Sequence, residues 1–161
     1  MEIVINASPL IFLAKIGMLD LLKSHKLIIP SQVYDEIFKG GNIDIEDVFT
    51  IRSLVSQKRI MVEESEIIKD LEKQNLGLGE KAAISLAVKK KINLILIDER
   101  KARKIAKFYR LKTRGTIGVL IEALHNKKIS KREFVDSIQK LIKEGYRIKE
   151  ELLIELLNMA E

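Results

Sequence analysis

Residues 77–88, GLGEKAAISLAV, and residues 94–104, LILIDERKARK, form the stretch that decides the fold. The first segment is typical of a helix with a carboxylate, Glu80, in its opening turn, and the second is typical of a buried strand that ends at another, Asp98. Open α/β sheets build their ligand sites beyond the carboxyl ends of such strands. Acids beside a run of basic residues at this edge therefore indicate a hard metal ion acting on a phosphate backbone.

The rest of the chain continues the alternation of short apolar strands and amphipathic helices. This alternation predicts a three-layer α/β/α fold around a central, mainly parallel sheet of four or five strands. Ser8 followed by Pro9 is typical of a helix start, and Ser130 with Glu133 is typical of a capping box. We predict strands over residues 3–6, 27–29, 59–62 and 94–97, an extended piece at 111–113, and helices over about 8–23, 31–39, 44–56, 65–74, 79–91, 99–110, 116–124, 130–144 and 148–157.

Composition limits the class of protein. The 161 residues suffice for one domain with a sizeable core, and an apolar share of 47% with a charged share of 32% is typical of a soluble globular protein. The absence of cysteine excludes disulfides, cysteine-ligated zinc and thiol catalysis. No basic segment typical of a signal peptide is apparent, and the charge-free run at residues 3–14 is shorter than the roughly 18 apolar residues of a membrane span. We therefore expect a cytoplasmic protein with no membrane partner.

The chain is basic, with a net charge of +6 and a pI near 9.4. Charge alone leaves two explanations open, an anionic partner or a lysine-rich surface that keeps the protein in solution. Eight of the fifteen residues from 100 to 114 are Lys or Arg, whereas a merely solvated face would mix both signs. We therefore expect this helix to track a nucleic-acid backbone. Its basic face comprises Arg100, Arg103, Lys104 and Lys107, and its core face comprises Ala102, Ile105, Ala106 and Tyr109.

Four polar side chains fall where chemistry would lie in such a sheet, and each also has a structural explanation. Asn6 follows the first strand and Glu36 lies in the second helix; alternatively, they satisfy turn backbone groups and occupy a solvated helix position. Glu80 opens its helix and Asp98 follows its strand; alternatively, they complement the helix dipole and cap the next helix. Each residue alone is weak support for a site, and only the four together indicate one.

Four segments, taken in order, resemble a known family. They are IVINASPLIFLAKIGMLDLL at 3–22, IIPSQVYDEIF at 28–38, GLGEKAAISLAVKKK at 77–91 and LILIDERKARKIAKFYRLKTRGTIGVLIEAL at 94–124. The sequences of these segments and their order resemble those of PIN-domain proteins, in particular a prokaryotic branch of the PIN-like nuclease superfamily. The resemblance covers residues 1–128 and implies a PIN-like domain there, with residues 129–161 as a C-terminal helical extension packed on the same domain.

The resemblance also implies a metal site. PIN domains are metal-dependent nucleases whose ligands are carboxylates at four positions, which correspond here to Asn6, Glu36, Glu80 and Asp98. Asn6 is the departure, because PIN nucleases generally carry Asp there; an amide oxygen still coordinates but lacks the full charge, so metal affinity should fall. The resemblance assigns catalysis to the three acids, with Mg²⁺ or Mn²⁺ as the cofactor.

Neighbouring residues complete the predicted site. Asp35 and Glu99 are adjacent carboxylates that could assist, although neighbouring side chains on a helix point apart. Ser8 and Thr116 are predicted to support the site, since similar proteins carry hydroxyls around it; helix N-capping explains them equally well. Three carboxylates about 5 Å apart would repel by roughly 3 kcal/mol per pair at an effective dielectric near 20, so a divalent cation would compensate them.

The leading hypothesis is a divalent-metal-dependent ribonuclease of PIN type that cleaves single-stranded or structured RNA. The resemblance further implies the toxin of a toxin–antitoxin pair, with a protein antitoxin and a homodimer as partners. The alternative is a non-catalytic nucleic-acid-binding or regulatory module that kept the fold and the basic helix but has a degenerate metal site. Asn6 is the residue that favours this alternative.

Overall fold

In residues 1–41 and 43–161, which the computed structural model describes, five short strands form one parallel sheet. The strand order is β3-β2-β1-β4-β5, so the first strand lies in the centre and the chain crosses it to reach the second half of the sheet. This confirms the predicted parallel α/β architecture. The strands are β1 (Glu2–Ile5), β2 (Lys26–Pro30), β3 (Ile60–Glu63), β4 (Leu94–Leu96) and β5 (Lys112–Arg114).

Helices cover both faces of this sheet. They are α1 (Ala7–Lys15), α2 (Ser31–Lys39), α3 (Ile45–Ser56), α4 (Lys69–Glu72), α5 (Leu78–Lys90), α6 (Arg100–Phe108), α7 (Thr116–His125), α8 (Lys131–Lys143) and α9 (Glu150–Met159). The hydrophobic residues of α1, α2, α3, α7, α8 and α9 pack in one core, and those of α4, α5 and α6 pack in the other.

Apart from Glu2 at the start of β1 and Lys26 at the start of β2, the central strands are apolar because both of their faces are buried. Along β1, Ile3 and Ile5 belong to the core under α1 and α7, whereas Val4 belongs to the core under α5 and α6. Along β4, Leu96 and Ile95 divide in the same way. Alternation of side chains across the sheet therefore supplies both cores from one short apolar run.

Two helices differ from their predicted extents. The helix predicted over residues 8–23 ends at Lys15, because Gly17 adopts a positive φ of 72°, and a 3₁₀ turn at Leu19–Leu22 follows. The helix predicted over residues 65–74 is only α4, since the segment before α4 is not helical and forms hydrogen bonds with α5 instead. Ser65 Oγ donates to the carbonyl of Ala82 at 3.1 Å, and the amide of Ile68 donates to Ser85 Oγ at 2.9 Å.

The C-terminal helices pack on the same core as α1 and α7. The predicted capping box opens α8, where the amide of Glu133 donates to Ser130 Oγ at 3.1 Å and the amide of Ser130 donates to the Glu133 carboxylate at 2.6 Å. Phe134 from α8 and Leu156 from α9 are fully buried. A boundary at residue 128 stays a prediction.

None of the helices within the described ranges is long and apolar enough to cross a membrane.

Candidate active site

The carboxyl ends of β1 and β4 and the first turn of α5 meet at one edge of the sheet. The amide of Asn6 donates to the carbonyl of Leu96 at 2.9 Å, which extends the ladder between β1 and β4 past the end of β1. A cavity of about 350 Å³ opens at this edge. Its lining comprises Asn6, Ser8, Phe12, Glu80, Asp98, Glu99, Gly145, Tyr146 and Arg147.

Asn6 is buried with an unsatisfied side-chain oxygen. It is 5% exposed, and its Oδ1 has no hydrogen-bond partner among the residues that the structure describes. Leaving a buried acceptor unpaired costs about 1–3 kcal/mol, so such an atom requires an explanation. The explanation that Asn6 satisfies turn groups does not account for Oδ1.

Glu36 lies beside the same point. A Cβ atom added to Gly79 would lie 2.5 Å from Glu36 Oε2 and 3.5 Å from Asn6 Oδ1. Both oxygens therefore lie beside the bare Cα of Gly79, and a larger residue at position 79 would displace the carboxylate. Glu36 as a whole is exposed on α2, but its carboxylate is partly buried, and this burial raises its pKa.

Glu80 brings a second carboxylate to this side of the edge. Its Oε2 accepts a hydrogen bond from the amide of Gly77 at 2.9 Å, so it also caps its own helix, a role that adds to the predicted complement to the helix dipole. Burial raises the pKa of Glu80, and the negative charges of Glu99 and Glu36 raise it further against the opposing effect of the Gly77 hydrogen bond. Asn6, Glu36 and Glu80 thus form a group of oxygen donors in which negative charge is poorly compensated.

Asp98 is held very differently. Within the described ranges it accepts four hydrogen bonds: Oδ1 from the amide of Thr116 at 2.7 Å and the hydroxyl of Tyr146 at 3.0 Å, and Oδ2 from the hydroxyls of Ser8 at 2.7 Å and Thr116 at 2.8 Å. Ser8 and Thr116 therefore lie against the predicted ligand. Burial raises the pKa of Tyr146 well above its ordinary value, with the Asp98 charge as the next cause, so the phenol stays protonated.

The basic helix α6 begins two residues after Asp98, and its four predicted cations differ in exposure. Arg100, Lys104 and Lys107 are exposed, as predicted for a face that meets nucleic acid. Arg103 is half-buried instead, and a Cβ on Gly115 would lie 2.9 Å from both Arg103 Nη1 and Asp98 Oδ1. The Arg103 guanidinium therefore lies near the Asp98 carboxylate. Of the four predicted cations, only Arg100, Lys104 and Lys107 form an exposed stripe.

The three predicted carboxylates do not form a set of metal ligands among the residues that the structure describes. In the described residues no three His, Cys, Asp or Glu side chains are grouped as metal ligands. Four hydrogen bonds already engage Asp98, whereas burial leaves Glu36 and Glu80 with raised pKa values. The donor set nevertheless fits a hard divalent cation, because the unpartnered Asn6 Oδ1 lies next to carboxylates whose pKa values are raised.

Sequence reasoning missed Tyr146. This residue follows α8 in the turn to α9, makes an edge-to-face contact with Phe12 at 5.0 Å between ring centroids, and reaches Asp98 across the site. The only signal was the glycine at the end of the predicted helix, which marks a turn and says nothing about the direction of the next side chain. Arg147, which also lines the cavity, carries no signal in the sequence either.

Comparison with known proteins agrees with this architecture. A family model described as a PIN domain matches residues 2–161, which confirms the family resemblance. Among solved structures, a PilT N-terminus domain protein from the hyperthermophilic archaeon Sulfolobus solfataricus P2 is similar in fold, with a TM-score of 0.58 and 21% identity over 77% of this chain and 94% of that chain. No curated protein matches the chain. The chain therefore belongs to the PIN-domain family, within the PIN-like nuclease superfamily.

Proposed function

We propose that this chain is a divalent-metal-dependent ribonuclease that hydrolyses RNA phosphodiester bonds in the cytoplasm. The main support is the buried Oδ1 of Asn6, which has no partner in the described part of the chain and lies with the Glu36 carboxylate beside the bare Cα of Gly79. A bound cation would explain both the buried oxygen without a partner and the neighbouring acids with raised pKa values, because hard cations bind oxygen ligands. Family membership supports nuclease chemistry at this edge.

Asn6, Glu36, Glu80 and Asp98 would hold the ion, which we propose to be Mg²⁺ or Mn²⁺ because every donor is an oxygen. When bound, the cation supplies Lewis-acid stabilisation of the charge that develops on the phosphodiester. Asn6 contributes an oxygen without a charge, so we expect one weakly held ion.

The chain's own residues would perform the remaining steps. Glu80 is the proposed general base, because its carboxylate lines the cavity where water would attack. Asp98 is fixed by hydrogen bonds from Ser8 and Thr116 and therefore provides a preorganised carboxylate. Arg103 beside Asp98 would offset negative charge as the substrate phosphate arrives.

The substrate would approach along α6. Arg100, Lys104 and Lys107 are exposed on the helix that starts at the site, so a strand that contacts them leads towards the cavity. Such contacts are sequence-independent and depend on salt. Single-stranded or structured RNA both fit this arrangement.

The proposed biological role follows the family resemblance. We propose that the chain is the toxin of a toxin–antitoxin pair, with a protein antitoxin and a second copy of itself as partners. The exposed apolar side chains of α9 offer a surface for one of them: Leu152, Ile154, Leu157 and Met159.

A second candidate function is a non-catalytic nucleic-acid-binding or regulatory module. Two observations favour it: Asn6 replaces the acid that PIN nucleases carry, and the described residues contain no group of three metal-ligating side chains. Such a module would keep the α6 contacts with RNA and would not cleave it.

Cleavage of an RNA panel with and without Mn²⁺ separates the two functions. We expect Mn²⁺-dependent cleavage that falls by about 100-fold or more in Glu36→Gln, since even outer-shell partners of metals cost about 10–100-fold. Asp35→Asn is the matched control, because it changes the neighbouring acid on α2, which pairs with Lys39 at 2.9 Å instead of facing Gly79. Intact RNA with the wild type and both variants, together with no heat of Mn²⁺ binding, would establish the non-catalytic module.

A further inference from the structure

Asp98 has no free acceptor position in this structure. A carboxylate offers about four lone-pair sites, and the residues in the described ranges fill four with the Thr116 amide, the hydroxyls of Ser8 and Thr116, and the phenol of Tyr146. A cation that used Asp98 would therefore have to displace one of these donors. The identity of that donor determines which part of the fold controls the site.

The four donors are not equivalent. Thr116 is fully buried at the start of α7, and Ser8 lies in α1 directly after the central strand, so both are fixed by the sheet. Tyr146 comes from the turn between α8 and α9, outside the strand–helix units that build the sheet edge. Its bond to Oδ1, at 3.0 Å, is also the longest of the four. It lines the cavity together with Asn6 and Glu80.

We propose that Tyr146 competes with the divalent cation for Asp98, so that the turn between α8 and α9 sets the metal affinity of the site. The phenol must release Oδ1 before a cation in the cavity that Asn6 and Glu80 also line can bind that oxygen, while Ser8 and Thr116 keep the carboxylate in place. This inference rests on the proposed function, because it assumes that Asp98 is a ligand. The C-terminal helices α8 and α9, which lie outside the sheet, would then control metal binding by positioning Tyr146.

Calorimetric titration with Mn²⁺ at neutral pH tests the competition. Tyr146→Phe keeps the ring and its packing on Phe12 but removes the hydroxyl, so we expect it to bind Mn²⁺ about three- to tenfold more tightly than the wild type. Tyr109→Phe is the matched control, since its ring packs in the other core, and we expect no change. In the Asp98→Asn background the Tyr146→Phe gain should disappear.

Each outcome bears on the inference separately from the proposed function. Equal or weaker Mn²⁺ binding by Tyr146→Phe would mean that the phenol only orients Asp98, and would overturn the inference even if RNA were still cleaved. Tighter binding without any RNA cleavage would support the inference and reject the ribonuclease. Absence of binding by both proteins would overturn both.

A second measurement follows Tyr146 itself. In protein labelled with 3-fluorotyrosine, the fluorine resonance of Tyr146, assigned from the Tyr146→Phe spectrum, should shift when Mg²⁺ is added. The resonances of Tyr34 and Tyr109 should stay in place, and Asp98→Asn should abolish the shift. A Tyr146 resonance that does not move at saturating Mg²⁺ contradicts the proposal.

Discussion

The two halves of the sheet edge differ in how well their polar groups are supplied with hydrogen-bond partners. One half holds Asn6 and Glu36, and the other holds Asp98. Asn6 Oδ1 is buried without a partner in the part of the chain that the structure describes, and the acids beside it have raised pKa values. Asp98, by contrast, accepts hydrogen bonds from three separate parts of the chain: α1, the start of α7, and the turn between α8 and α9. We call these regions the Asn6 half and the Asp98 half.

This contrast indicates where a cation would change the energy most. A ligand that brings positive charge to the Asn6 half would satisfy an orphaned acceptor and relieve raised pKa values. At the Asp98 half the same ligand would replace hydrogen bonds that already exist. We therefore expect substitutions in the two halves to respond oppositely to metal.

The largest effect is expected for Asn6→Asp. A new carboxylate about 5 Å from another costs roughly 3 kcal/mol at an effective dielectric near 20, so the metal-free free energy of unfolding should fall by about that amount. Millimolar Mn²⁺ should restore it, because binding to the native state alone stabilises that state. Urea denaturation with and without Mn²⁺ measures both values.

Asn6→Leu is the matched control for this change. It removes the orphaned acceptor at similar size, so the metal-free protein should be as stable as the wild type or more so, and Mn²⁺ should stabilise it less. A metal-free Asn6→Asp protein as stable as the wild type would show that the Asn6 half carries no excess negative charge.

The next effect is expected for Thr116→Val in the Asp98 half. Thr116 is fully buried and its Oγ1 donates to Asp98 Oδ2, so loss of this hydrogen bond should cost the metal-free protein about 1.5–3 kcal/mol of unfolding free energy. Ser8→Ala provides the comparison, because Ser8 is only partly buried and should cost less. If Mn²⁺ rescued Thr116→Val as fully as Asn6→Asp, the two halves would not differ.

A smaller effect is expected from pH. A carboxyl group whose folded pKa exceeds its unfolded value binds more protons in the native state, so the unfolding free energy falls as pH rises from the ordinary value of 4.5 through the raised value. The pKa values of Glu36 and Glu80 are both raised, so both residues contribute to this decline in unfolding free energy. The double variant Glu36→Gln/Glu80→Gln should therefore lose part of this decline, whereas Asp35→Asn should keep it. Urea midpoints measured across acidic to neutral pH test this, and identical slopes would contradict the raised pKa values.

The smallest effect is expected for Lys104→Gln, which tests whether RNA enters beside the Asp98 half. Lys104 is exposed on α6, so its loss should reduce the slope of log affinity against log salt by about 1 without changing stability. Lys140→Gln on α8 is the control, and it should leave the slope unchanged. Fluorescence anisotropy with a labelled RNA at several salt concentrations gives the slopes. Equal slopes for both variants would remove α6 from the substrate path.

Much of the fold follows from local pattern, as β1 and β4 illustrate. Their apolar runs, bounded by helix starts, predicted a parallel sheet buried on both faces, and α8 followed from its capping box. The predicted helix over residues 65–74 failed because Ser65 and Ile68 bond to α5, about 17 residues further along the chain. Hydrogen bonds at that separation leave no periodic signal in the segment itself.

The candidate site shows the same division. The sequence by itself determined the residue types: an amide after β1, acids on α2 and α5, an acid after β4, and a run of cations behind it. Only the tertiary structure decided that Asn6 Oδ1 has no partner among the described residues, that Arg103 turns inward, and that Tyr146 reaches Asp98 from the turn between α8 and α9. The physical reason is that periodicity reports which face of an element is buried, whereas hydrogen-bond partners depend on the packing of elements distant along the chain.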